Sequence, residues 1–198
     1  MNYILASASP RRKEILKQIG LKFEVIPAKG EEKIRFKKPE EIVMDLSRQK
    51  AEEIAKLRKD AAAPELIIGA DTVVAKDGVI LGKPKDEEDA YRMLSMLQGD
   101  SHKVYTGVTF ILRKEAKVQV HSFFEETEVV MYPMSEEERR FYIGTKEPFD
   151  KAGGYGIQGR CAVFIKEIRG DYQNVVGLPA AGIYQELKKM GIDIYRES

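Results

Sequence analysis

Ser7, Ser9, Arg11 and Arg12 fall within six residues of one another, in the stretch SASPRRKEIL, Ser7 to Leu16. Ser9 is suited to cap a helix and Pro10 to begin it. Both arginines then lie in a first turn where the macrodipole is already positive and acidic side chains are the favoured choice. Fixed cations, hydroxyls and unpaired backbone N–H groups at a helix start together suit a phosphate. Lys50 and Lys83 raise the count to four positive charges, which a nucleoside triphosphate with one divalent cation could use. Asp71, with Glu32 of GEEKI as a second carboxylate, offers the hard oxygen ligands that magnesium or manganese takes. There Asp71 would position a metal-activated water or accept its proton, and the natural outcome is hydrolysis of a phosphoanhydride.

Each of these residues also has a structural reading. Lys50 and Ser47 lie in the middle of an apolar stripe formed by Val43, Leu46, Ile54 and Leu57. There the lysine either snorkels to water along its stem or enters a cleft shared with the arginine turn. Asp71 interrupts the apolar run LIIGADTVVA, where an unpaired carboxylate is costly. It is either in a buried ion pair with one of the arginines or at a site. Glu32 is either a ligand or a solvated loop charge. FDKAGGYGIQG, Phe149 to Gly159, has four glycines among eleven residues and suits either a loop folded around a ligand or a plain connector.

The elements that must carry these residues alternate as strand and helix, which argues for an α/β fold with a mixed, twisted sheet and flanking helices. Strand YILA leads into the arginine helix, which Gly20 closes. LKFEVIPA alternates as a half-buried strand, Lys29–Lys38 is a charged loop, and a long helix runs from Pro39 to about Lys59. The linker DAAAP precedes the Asp71 strand. KDG is a hairpin turn returning through VILGKP, which could carry Lys83 toward Asp71. DEEDAYRMLSMLQG reads as an amphipathic helix, Lys103 to Tyr132 as strands, and Ser135 with Glu138 as a capping box. Strands are expected near CAVFIKEI and YQNVV, and a last helix from Pro179 to Met190. No repeat or composition break divides the chain, so one domain over 1–198 is expected.

Composition narrows the function classes. The 198 residues are 43% hydrophobic and 33% charged, with a net charge of +1, so there is no polycationic field to drive nonspecific nucleic-acid binding. No apolar run is long enough for a membrane helix. The basic residues of MNYILASASPRR follow the apolar segment, which reverses a secretory signal, and the one cysteine, Cys161, suits a reducing compartment. A cytoplasmic location is expected, with neither nucleic acid nor membrane as partner; a homodimer is left open. His102 and His121 lack the spacing of a zinc site.

Taken in order, LASASPRRKEIL, SRQKAEE, IIGADTVV, LGKP, DKAGGYGIQG and GDYQNVVGLP closely resemble the Maf family of nucleotide pyrophosphatases, once known as septum formation inhibitors. The resemblance spans nearly the whole chain. It implies an elongated, two-lobed fold around a deep cleft, related to the inosine triphosphate pyrophosphatases, and metal-dependent cleavage between the α and β phosphates. DKAGGYGIQG is similar to the branch that acts on dTTP and UTP. By motif match Asp71 corresponds to the catalytic acid, and Arg11, Thr72 and Gln158 to positions of substrate preference. Arg12, Lys50 and Lys83 correspond to basic cleft residues, and Glu32 to an acidic one. The Gln158 amide offers a donor and an acceptor, complementary to the O4 and N3–H edge of uracil and thymine, a pattern that cytosine reverses. The family's older name carries a second class of function, a nucleotide-binding regulator of cell division.

Overall fold

The structure is a computed structural model and describes residues 1–59, 63–114 and 117–195. Asp60, Ala61 and Ala62 of the expected linker lie outside the described residues. Among the described residues there are strands β1 (Asn2–Leu5), β2 (Phe23–Val25), β3 (Glu65–Lys76), β4 (Val79–Leu81), β5 (Ser101–Lys114), β6 (Lys117–Met131) and β7 (Ile165–Arg169). The helices are α1 (Pro10–Gln18), α2 (Pro39–Leu57), α3 (Glu87–Leu97), α4 (Glu136–Gly144), α5 (Tyr172–Val176) and α6 (Ala180–Lys189). Strand order is β2-β1-β3-β5-β6-β7, with β4 paired to β3. β1 runs parallel to β2 and β3, while β4 on β3 and β7 on β6 are antiparallel, giving the expected mixed sheet.

The chain forms two compact units. The first comprises Met1–Asp71, Thr106–Glu125 and the chain from Gly177 onward; the second comprises Thr72–Tyr105 and Glu126–Val176.

In the first unit, Ile4, Ala6, Ala51, Ile54, Ile67 and Ile111 form a buried cluster in which α2 lies on the sheet. The approach is backbone to backbone. A Cβ on Gly69 of β3 would stand 2.2 Å from the Ser47 carbonyl oxygen, and one on Gly107 of β5 would stand 2.3 Å from that of Val43. Ser47 is fully buried and bonds Thr109 Oγ1 at 2.8 Å, which in turn bonds Ser122 at 2.8 Å. Small residues and a line of hydroxyls thus replace bulk under the helix. The stripe read from the sequence is rotated: Ile42, Val43, Leu46, Ser47, Ala51 and Ile54 are buried, whereas Leu57 is 70% exposed. Leu57 is the last helical residue, past the end of the surface the helix covers. Lower in the unit, the buried Glu65 carboxylate pairs with Arg58 at 2.9 Å and Arg113 at 2.8 Å.

In the second unit, Val74, Leu81, Met93, Leu94, Val129, Tyr142, Tyr155 and Cys161 belong to one core. The Asp77–Gly78 turn has φ of 50° and 76°, the left-handed pair that a two-residue hairpin needs, and sets Val74 opposite Leu81. Ser135 and Glu138 form the expected capping box. Two strand assignments are corrected. YQNVV is α5, because the Asp171 carboxylate accepts from Gln173 N at 2.7 Å and starts a helical turn. Asn174 then turns inward to donate to Val104 O and Thr127 Oγ1. In CAVFIKEI only Ile165 onward is strand; Arg160–Phe164 is a 3-10 turn.

Candidate active site

The first unit gathers seven of the residues singled out by chemistry: Ser7, Ser9, Arg11, Arg12, Glu32, Lys50 and Asp71. β1 delivers the turn. Ser9 caps α1 by accepting from Arg12 N at 3.5 Å, and Ser7 Oγ accepts from Ser9 N at 3.3 Å. Arg12 folds back across this turn instead of reaching outward. Its Nε donates to Gly177 O at 2.8 Å, and its Nη1 donates to Ala70 O at 2.8 Å and Ser7 Oγ at 3.1 Å. One guanidinium therefore ties the helix start to the middle of β3 and to the chain entering α6. Burial pulls its pKa below the ordinary arginine value; Asp71 and Glu32 oppose that shift and Arg11 adds to it. It remains a cation at any working pH.

Lys50 and Asp71, each left with two readings by the sequence, meet. Its Nζ donates to Asp71 Oδ1 at 2.5 Å and pairs with Glu32 Oε1 at 2.9 Å. So one partner of Asp71 is the lysine in the middle of the α2 stripe, and the charge of Arg12, one of the arginines considered from the sequence, acts on the same carboxylate. The Asp71 side chain is 11% exposed and that of Lys50 is 17%, while Glu32 at 50% reaches solvent.

Glu32 is held there by residues the sequence reading passed over. Asp45, Gln49 and Glu53 recur every four residues along the outer face of α2 and form a clasp for the charged loop. Glu53 accepts from Lys29 N at 2.8 Å and Gly30 N at 2.9 Å. Gln49 both accepts from Lys33 N at 3.0 Å and donates to Lys33 O at 2.8 Å, and Asp45 steadies Gln49 and pairs with Arg35. The i, i+4, i+8 spacing was the available signal. Gln49, Lys50 and Glu53 all lie in SRQKAEE: the same segment supplies the cation and the clasp.

Thr72, Lys83 and Gln158 belong to the second unit. Thr72 is half-buried in β3; Lys83, just after β4, and Gln158 are exposed. The glycine-rich stretch folds as tight turns rather than an open loop, with Gly153 and Gly154 at φ of 72° and 71°. Gly153 N donates to Gly82 O at 3.0 Å, and a Cβ on Gly153 would meet Val74 at 2.9 Å. Cys161 is buried and its thiol is pushed up to about 12 by burial, which makes it a core residue. His121 bonds Glu186 at 2.8 Å and stacks beside Phe110 and Phe123, a structural role. Among the described residues, no group of three or more His, Cys, Asp or Glu is placed to hold a metal without help from a ligand. No described helix is long and apolar enough to cross a membrane.

In this α/β chain the Lys50 ammonium, the Asp71 and Glu32 carboxylates and the Arg12 guanidinium come together where α1 begins beside the middle of β3. The chain belongs to the Maf family: the model described as Maf-like protein matches residues 2–190. The dTTP/UTP pyrophosphatase of Agathobacter rectalis is 58% identical, over 96% of this chain and 98% of its own length. That of Carboxydothermus hydrogenoformans is 50% identical, over 96% of this chain and 100% of its own. Among solved structures, a dITP/XTP pyrophosphatase from Mycobacterium abscessus shares 11% identity over 68% of this chain and 76% of that one, with a TM-score of 0.38, too slight a likeness to build on.

Proposed function

We propose that this protein is a nucleoside triphosphate pyrophosphatase that hydrolyses the α–β anhydride of dTTP and UTP to the nucleoside monophosphate and pyrophosphate. The observation that carries the chemistry is the Glu32–Lys50–Asp71 cluster in the same unit as the Arg11–Arg12 helix start. The pyrimidine preference rests on the two pyrophosphatases that match this chain nearly end to end.

Asp71 and Glu32 already share one cation, the Lys50 ammonium. Their oxygens are the hard donors that magnesium or manganese takes, and two carboxylates completed by phosphate and water are enough for such an ion. The donor set therefore fits a divalent metal held by Asp71 and Glu32. Such an ion supplies a more acidic water and neutralises phosphate charge. Lys50 holds Asp71 Oδ1, and Oδ2 is the atom we assign to receive the proton of the attacking water. Arg11, with the hydroxyls of Ser7 and Ser9 and the N–H groups of the α1 start, binds phosphate oxygens, while Arg12 holds the turn in shape and lends its charge. Lys83 is assigned, from the family pattern, as a further substrate-binding cation. From the family pattern, Thr72 and Gln158 are assigned to substrate preference, with Gln158 reading the O4 and N3–H edge. We assign the enzyme to the cytoplasm.

Purified protein with magnesium or manganese, assayed for pyrophosphate over a panel of nucleoside triphosphates, should favour dTTP and UTP. Asp71→Asn should lower that release about 100-fold or more. No pyrophosphate from either nucleotide with either metal overturns the proposal.

A further inference from the structure

Gln158 sits at the tip of a turn whose two ends hang from one carboxylate. Glu147 Oε2 accepts from Arg160 N at 3.1 Å, on the far side of Gln158. On the near side the link has one relay: Glu147 Oε1 accepts from the Tyr142 hydroxyl at 3.1 Å, and that hydroxyl accepts from Gly156 N at 3.0 Å. Burial raises the pKa of Tyr142, so it stays protonated and fills both roles. Between these anchors Gly159 N closes on Gly156 O at 3.2 Å, Ile157 is buried and Gln158 is exposed.

The glycines of the G-I-Q-G stretch have a cause in the same contact. A Cβ on Gly159 would stand 1.7 Å from Glu147 Oε1, and one on Gly156 would stand 2.5 Å from Lys151 Cε and 3.2 Å from Glu147 Oε1. The acid occupies the space that side chains at those positions would need. Its own place is fixed from behind, where Glu147 N donates to Thr145 Oγ1 at 3.3 Å and Lys151 Nζ donates to Glu147 O at 2.7 Å.

We propose that Glu147 is the positioning residue of the base-recognition turn: by holding Arg160 N directly and Gly156 N through Tyr142, it fixes the Gln158 amide and so sets discrimination between uracil and cytosine. This rests on the assignment of Gln158 to the base. Glu147 touches no substrate and acts through Gln158. Glutamine at 147 cannot present two carboxylate oxygens, so one anchor is lost while size is kept.

The test compares kcat and KM for UTP and CTP in the wild type, Glu147→Gln, Tyr142→Phe, Gln158→Ala and the Glu147→Gln/Gln158→Ala double variant, with melting temperatures alongside. Glu147→Gln should raise KM for UTP about 10-fold with kcat nearly unchanged, and lower the UTP-to-CTP ratio of kcat/KM about 10-fold. It should add nothing to that ratio in the Gln158→Ala background, since residues acting through one another are not additive. Tyr142→Phe, which removes the relay between Gly156 N and Glu147 but leaves the Arg160 N anchor, should move the ratio the same way by less, and it carries the test if Glu147→Gln does not fold. A wild-type ratio in the Glu147 and Tyr142 variants, with a lowered one in Gln158→Ala, overturns the inference and leaves the function standing. So does an effect of equal size in both backgrounds. An unchanged ratio in Gln158→Ala removes the base assignment and this inference with it.

Discussion

Lys50 Nζ lies 2.5 Å from Asp71 Oδ1 and so joins the middle of a long helix to the residue at which β3 leaves the first unit. The pair separates chemistry from stability. Asp71→Asn keeps the shape and a hydrogen-bond acceptor for Lys50, so kcat should fall about 100-fold or more with little change in melting temperature. Lys50→Met strands a nearly buried carboxylate. Because Arg12 still faces that charge, the loss should be about 1–2 kcal/mol, below the usual figure for breaking a buried pair. Denaturant unfolding of both variants beside steady-state kinetics checks the contrast.

The clasp on α2 makes a prediction about metal rather than nucleotide. Glu53→Ala releases Lys29 N and Gly30 N, and Gln49→Ala releases Lys33. Either should let the Glu32 loop wander and raise the metal concentration for half-maximal rate by about 10-fold, the lower edge of the range seen for residues that orient metal ligands. With metal in excess, kcat should stay near wild type. Metal titrations at fixed UTP measure this.

Gly69 and Gly107 allow the backbone of α2 to touch the sheet, and the atoms in the way of a side chain at either position are mainly backbone. Gly69→Ala and Gly107→Ala should each cost about 3 kcal/mol, at the upper end of overpacking penalties, because a helix cannot yield as a flexible side chain does. Activity should fall further than stability explains in Gly69→Ala, since Ser47 and Ala51, which flank Lys50 on the helix, take the collision. Activity measured well below each variant's melting temperature separates the two effects.

His102 predicts a pH dependence of stability. It is buried against the Tyr155 hydroxyl, with its Nε2 at 2.7 Å, and burial lowers its pKa from 6.5 to about 4. The unfolded chain therefore binds a proton that the folded chain refuses between those values. The stabilisation is whole above pH 6.5 and is lost as pH falls toward 4, by at most about 3 kcal/mol. His102→Gln should flatten this part of the curve. Urea unfolding of both proteins from pH 7.5 to 4.5 gives the difference.

The fold was legible wherever local chemistry decides it. Pro10 after Ser9, Asp77–Gly78 and the Ser135–Glu138 box each occur as read. YQNVV misled because its β-branched pair favours a strand; the Asp171 cap that starts the helical turn lies just before it, while the inward contacts of Asn174 go to partners distant in sequence. The candidate site divides along the same line. The need of Asp71 for a partner followed from its apolar neighbours, but that Lys50 is one depends on how closely α2 approaches β3, which Gly69 controls and periodicity does not express. Glu147 gave no sign at all, since an acid before Pro148 reads as an ordinary turn residue.

The Glu147 carboxylate standing where a Gly159 side chain would begin also limits how this sequence can vary. A descendant that gains any side chain at 159 must move the Glu147 carboxylate out of the position from which it holds the turn, and one that shortens 147 no longer requires glycine. The two positions should therefore be inherited together, and lineages in which one has drifted should show the other drifting with it.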